Sequence, residues 1–173
     1  MKKLIASLAL SAVAAFAQGQ QDFSKVEIKT NKIADNFYTL DGQGGTIGVL
    51  TGPDGVFMVD TQFAPLSDKI AAAIKAITPQ PIKFIVNTHL HGDHTGGNVN
   101  FGKMGATLLS RDQLRDRLSK PQGNTPATAP EGLAKITYDN DVTLHMNGQD
   151  VQLIAIRRAH TDGDTLIRFP GLD

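Results

Sequence analysis

The spacing of apolar positions changes several times along this chain, and the changes mark out its elements. After a polar stretch at residues 18–24, Val26-Glu27-Ile28-Lys29 alternates and predicts a strand. Residues 37–40 predict a second. Gly42, Gly44 and Gly45 interrupt the chain before an apolar run at 46–50, and Gly52-Pro53-Asp54-Gly55 is a strong turn signal ahead of the run 56–59, which ends at Asp60. Short runs joined by tight turns predict consecutive antiparallel strands. From Pro65 the period becomes helical: Leu66, Ile70, Ala73, Ile74 and Ile77 recur at three and four, and Pro79 and Pro81 close the helix. Residues 82–86 form a nearly continuous apolar strand of the buried kind.

Residues 106–109 predict another strand and 111–118 a short helix, with Ser110 as its cap. Asn98 is expected to cap the segment that follows it, and Gly96 and Gly97 to allow close backbone packing. The segment 120–132 is rich in Pro, Gly, Thr and Ala and reads as a loop, either an active-site flap or a connector. Asn147-Gly148 between the alternating runs 142–146 and 151–156 is a strong hairpin signal, and 165–169 predicts a last strand. Strands, then helix, strand, helix and more strands define a mixed, layered α/β domain.

The N-terminus modifies this picture. Met1-Lys2-Lys3, an apolar run over 4–17 and the small-x-small ending Ala15-Phe16-Ala17 predict a secretory signal peptide over 1–17, with the domain proper over 18–173. The run is too short to span a bilayer comfortably, so a periplasmic or secreted protein with no stable membrane association after cleavage is expected. The chain contains no Cys, so no disulfide supports it outside the cytoplasm. Without Lys2 and Lys3, 15 basic residues face 17 acidic ones, and no basic run occurs; nucleic acid is a poor partner on electrostatics and a small-molecule substrate is expected. Nothing in the sequence fixes an oligomeric state.

Candidate chemistry is concentrated in one place. The chain has five His, and three of them fall in His89-Leu90-His91-Gly92-Asp93-His94. Imidazole is the commonest metal ligand near neutral pH, and a carboxylate suits a second hard cation. In an extended stretch His89 and His91 face the same side, and a turn at Gly92 lets Asp93 and His94 aim at a neighbouring point, an arrangement that suits two metals. His160 is the candidate third ligand of the first metal, because it too follows an apolar strand and precedes a Gly turn in His160-Thr161-Asp162-Gly163-Asp164. Three His with one open position is a catalytic zinc layout, which lowers the pKa of a coordinated water to about 7. Asp93 is the candidate catalytic residue that orients this water. Asp60 and Asp164 are candidate carboxylates behind the ligands, since a metal-bound His needs an acceptor for its other N–H. His145, alone in mid-strand, is expected to be structural.

With these residues in view, the chain resembles the metallo-β-lactamase-fold hydrolase superfamily, and in particular its exported bacterial members. The resemblance covers about residues 26–169 and rests on Asp60, the motif from His89 to His94 within Asn87–Asn98, and His160, in that order. It implies an αβ/βα sandwich with a dinuclear zinc site in the cleft between two halves. His89, His91 and His160 would hold the first Zn2+, Asp93 and His94 would help hold the second, and Asp60 would stand behind them. Family members carry a bridging Asp or Cys and a further His beyond the third motif. No Cys and no further His follows His160 here, and Asp173 stands too close behind it for the bridging position, so the resemblance implies an incomplete sandwich, the first half plus the start of the second, with one metal position short of a ligand.

The function expected is zinc-dependent hydrolysis of an ester, thioester, lactone or β-lactam-type bond. Two alternatives stay open: an iron-dependent oxidative enzyme on the same His set, and a truncated, non-catalytic metal-binding fragment.

Overall fold

The computed structural model describes residues 22–172; the expected export signal over 1–17 lies outside them. Among the described residues no helix is long and apolar enough to cross a membrane. The described residues form ten strands in two sheets. The larger runs β1 (Lys29–Ala34), β2 (Phe37–Asp41), β3 (Ile47–Leu50), β4 (Val56–Val59), β5 (Ile82–Val86), β6 (Thr107–Arg111) and β7 (Ile136–Tyr138), in that spatial order. Its first four strands are antiparallel neighbours, and β4 to β7 run parallel. The smaller sheet has the order β10 (Asp164–Arg168), β9 (Gln149–Ile156), β8 (Val142–Met146) and is antiparallel throughout.

Strand alternation decides how these layers stack. Val49, Met58, Ile85 and Leu108 face one way and pack with Ile70 and Ile74 of α1 (Ser67–Ile77) and Phe101 of α3 (Asn98–Lys103). Their chain neighbours Leu50, Phe57, Val86 and Leu109 face the other way and pack with Met146, Val151 and Leu153 of the smaller sheet. Successive strand residues point to opposite faces, so paired apolar residues such as Phe57-Met58 serve two cores at once. The result is helices, a large sheet and a small sheet in layers, the architecture expected. Each large side chain fully buried here is worth roughly 1.5–3 kcal/mol.

The Asn147-Gly148 hairpin forms as expected, with φ of 54° and 75° at its two turn residues, the left-handed pair that a type I′ turn requires. The same turn latches the sheets together. Asn147 accepts from the Asp54 N–H at 2.9 Å and donates through its side chain to Gly55 O at 2.8 Å.

Four expectations are corrected. The first strand begins at Lys29, not Val26: Val26 and Ile28 pack on the core without joining the sheet. Ser110 is no cap, because β6 continues through Arg111; its hydroxyl donates to Arg111 O at 2.9 Å, and α4 spans Asp112–Leu118. Asn98 opens α3 as its first residue without capping it, and its side chain is instead buried against Asn87. The chain after His91 does not merely turn; it enters a single helical turn, α2 (Gly92–Thr95).

Candidate metal centre

The parallel strands β4 and β5 end side by side, and their exits carry the site. Val59 pairs with Val86, and the Asp60 N–H donates to Val86 O at 2.9 Å, so Asp60 lies beside the segment from Asn87 to His89. Carboxyl ends of adjacent parallel strands are where such sheets place ligands. Asp60 and Gln62 adopt φ of 65° and 49°, left-handed values that cost a non-glycine residue on the order of 1–3 kcal/mol and gather at functional sites. The bend is held from below. Thr61 N and its hydroxyl lie 2.9 and 3.0 Å from His94 O, that hydroxyl is 3.0 Å from Asn98 Oδ1, and Asn98 and Asn87 exchange side-chain hydrogen bonds of 2.8 and 3.0 Å.

His89, His91 and His160 converge. Each offers one ring nitrogen, and the three atoms lie within 4.8 Å of one another. His160 Nε2 and His91 Nδ1 are 3.0 Å apart. Zinc bound tetrahedrally at 2.0–2.1 Å separates its nitrogen ligands by about 3.4 Å, so these imidazoles fit one such ion with only small ring movements. His160 comes from the loop after β9 in the other sheet. Its backbone is set by Asp164, whose carboxylate accepts from the N–H of His160 at 2.5 Å, from the N–H of Thr161 at 2.9 Å and from the Thr161 hydroxyl. Asp164 therefore holds the backbone of the loop, not the ring. Burial pushes its carboxyl up, but the hydrogen bonds from Thr161 and His160 outweigh that and leave it below the usual carboxylate range. From α4, Arg117 donates through Nε and a terminal nitrogen to Asp162 at 3.0 and 2.6 Å and ties the same loop to the larger sheet's side.

Asp93 and His94 stand beside the triad on α2. The His94 ring centroid is 4.0 Å from that of His89, and its Nε2 lies 3.4 Å from Asp93 Oδ2, so a nitrogen and a carboxylate oxygen sit together next to the three converging imidazoles. Behind them runs a continuous hydrogen-bonded path. Asp60 accepts from Thr88 N–H at 2.7 Å and from the Thr88 hydroxyl at 2.7 Å; His94 Nδ1 lies 2.7 Å from Asp60 Oδ2, and His89 Nδ1 lies 3.0 Å from Thr88 Oγ1. The hydroxyl spends its proton on Asp60, so it accepts from His89 Nδ1–H, and His94 donates its own Nδ1–H to Asp60. Both rings then carry their proton on Nδ1 and present an unprotonated Nε2, the form of imidazole that can bind a metal. Burial and the neighbouring His94 lower the pKa of His89, which favours the neutral, ligating form; the Asp60 hydrogen bond raises that of His94.

Two groups here escaped sequence reasoning. Thr88 had no signal beyond standing between a strand end and a His. Gly44 and Gly45, read only as chain breakers, approach the motif closely: a Cβ on Gly44 would lie 2.7 Å from Asp93 Cβ, and one on Gly45 2.5 Å from His94 Cε1. His145 stands apart from the triad, exposed on the hairpin and paired with Asp150 at 2.7 Å.

A layered α/β fold with a cluster of His at parallel strand ends defines a class, and comparison with known proteins names it. The chain belongs to the metallo-beta-lactamase superfamily, which it matches over residues 40–173. It is 26% identical to the 2,4-dinitroanisole O-demethylase subunit alpha of Nocardioides sp. (strain JS1661), over 82% of this chain and 42% of that protein. It is 25% identical to the metallo-beta-lactamase type 2 of Elizabethkingia meningoseptica, over 96% of this chain and 66% of that one. Among solved structures it resembles the class B3 di-zinc metallo-beta-lactamase LRA-12 from an Alaskan soil metagenome, with a TM-score of 0.73, 22% identity, and coverage of 87% of this chain and 60% of that one. The chain thus spans roughly two fifths to two thirds of the length of these proteins.

Proposed function

We propose that the protein is an exported zinc-dependent hydrolase that directs water at an ester, thioester, lactone or β-lactam-type bond. The observation that carries this is the meeting of His89, His91 and His160, brought from two sheets onto one point. When bound there, zinc supplies Lewis acidity and brings the pKa of a water to about 7. The chain's own groups do the rest. Thr88 and Asp60 hold His89 and His94 as Nε2 ligands. Asp164 fixes the backbone that presents His160. Asp93, whose Oδ2 lies 3.4 Å from His94 Nε2, would orient the attacking water and take its proton, and with His94 it would hold a second zinc.

The di-zinc character of LRA-12 supports zinc as the ion. The names of the two sequence relatives, a β-lactamase and an O-demethylase of an aryl ether, keep the bond class broad. Export rests on the sequence of residues 1–17 and is tested by sequencing the N-terminus of the protein recovered from outside the cytoplasm.

His91→Ala tests the assignment. Its expected result is lowered zinc content by elemental analysis and loss of hydrolysis across ester, thioester, lactone and lactam probes. Zinc content equal to that of the unsubstituted protein would overturn it, and so would an iron-loaded, zinc-free protein from medium containing both metals.

A further inference from the structure

The loop at 120–132 was open to two readings, flap or connector, and its position decides between them. Residues 122–128 fold back against α2 and the end of α4, and a cavity of about 610 Å³ lies between. Its wall is built from Leu90, Val99, Leu118, Pro126 and Ala127, and it is shared with His91, one of the three converging imidazoles. The loop is shaped, not slack. Gln122 and Thr125 exchange backbone hydrogen bonds of 2.9 and 3.0 Å, and Thr128 N–H donates to Leu118 O at 2.8 Å, which pins the far end to α4.

The chemistry of the wall is one-sided. No Asp, Glu, Lys or Arg lines it. Two of its polar side chains are engaged with backbone carbonyls: the Thr95 hydroxyl lies 3.1–3.2 Å from Leu90 O and His91 O, and the Gln122 amide donates to Arg117 O at 3.1 Å. A carboxylate entering this space would leave water and meet no Lys or Arg on the wall. An apolar group would find aliphatic walls on several sides, in a volume of the size that small-molecule sites use.

We infer that this cavity is the subsite for the uncharged, apolar portion of the substrate, an aromatic or branched-alkyl group on the bond to be cleaved. The inference deepens the hydrolase reading and takes its meaning from it. The substrate class becomes neutral esters or amides with a hydrophobic acyl or leaving group, held with that group under the 122–128 loop and the scissile bond toward His91. Substrates carrying a carboxylate on that portion are rejected by desolvation.

The test is binding, followed without added metal so that a carboxylate gains nothing by coordination. Methyl NMR signals of Val99, Leu118 and Ala127 are titrated with phenylacetamide and with phenylacetate, which differ in charge but little in shape. Phenylacetamide is expected to shift these methyls saturably and to bind about tenfold more tightly than phenylacetate. Ala127→Glu should weaken phenylacetamide to a similar degree, with the core methyls of Ile47 and Leu50 unmoved as the check on folding. Equal affinity for the two probes, or shifts absent from these methyls, overturns the proposal. Zinc uptake is scored separately: its failure would sink the hydrolase reading and leave the methyl result to judge the cavity alone.

Discussion

Asp60 and His94 share a hydrogen bond of 2.7 Å between Oδ2 and Nδ1, the Asp60 side chain 4% exposed and that of His94 19%. This contact raises the pKa of His94 above its ordinary 6.5. The sign of the linkage follows. The folded-state value exceeds the unfolded one, so the stabilisation is fully present below about pH 6.5 and is lost as pH rises through the elevated folded value. Asp60→Asn should lower the His94 midpoint in a metal-free NMR titration of its Cε1–H signal and flatten the dependence of stability on pH across that window. Asn tolerates the left-handed backbone at this position, so the substitution isolates the charge. An unmoved His94 midpoint would show that Asp60 does not govern it.

Thr88 joins both imidazole systems to the same carboxylate, and its hydroxyl is the only link between Asp60 and His89 among the described hydrogen bonds. Thr88→Val should weaken zinc binding by about 10- to 100-fold, the usual cost of losing an outer partner of a ligating His. Thr88→Ser keeps the hydroxyl and should restore most of that affinity. Imidazole ¹⁵N shifts report the tautomer directly: His89 should lose its preference for Nδ1–H in the Val variant and keep it in the Ser variant. Equal zinc affinity in all three proteins would remove Thr88 from the site's design.

Tyr138 offers a test at the opposite end of the pH scale. It is buried under the smaller sheet, where its hydroxyl meets Thr165 Oγ1 at 2.8 Å, and burial pushes its pKa up to about 12. A phenol whose folded value lies above its unfolded value of about 10 stabilises the fold below pH 10 and loses that contribution between pH 10 and 12. Urea unfolding should therefore show stability falling through this range, and Tyr138→Phe should lack that part of the fall while costing about 1 kcal/mol near neutrality for the lost hydrogen bond. Parallel pH profiles for the two proteins would refute the assignment.

The parts legible in the sequence were those that a single period or motif encodes. The helix from Pro65, the strand before the His motif and the Asn147-Gly148 hairpin each repeat a local signal over enough residues to be read. Elements too short to show a period were not: α2 has four residues, β7 three, and α3 carries a glycine among its six. Val26 and Ile28 alternated correctly for burial, but whether a segment pairs depends on its neighbour's backbone, which no side-chain pattern encodes. At the site, the ligand candidates could be named because imidazoles are rare here. Thr88, Gly44 and Gly45 could not, because their roles consist of distances to residues that the chain reaches only after folding.

Strand β10 closes one side of the smaller sheet and has β9 as its only strand neighbour among the described residues, while Leu166 on it is 54% exposed. Its outer side is engaged at Thr165, whose N–H donates to Thr88 O at 2.8 Å beside the imidazole of His89. A strand that ends a sheet is where a further β-segment would add, so the soluble lifetime of this polypeptide should track how firmly the Thr165–Thr88 bond keeps β10 covered.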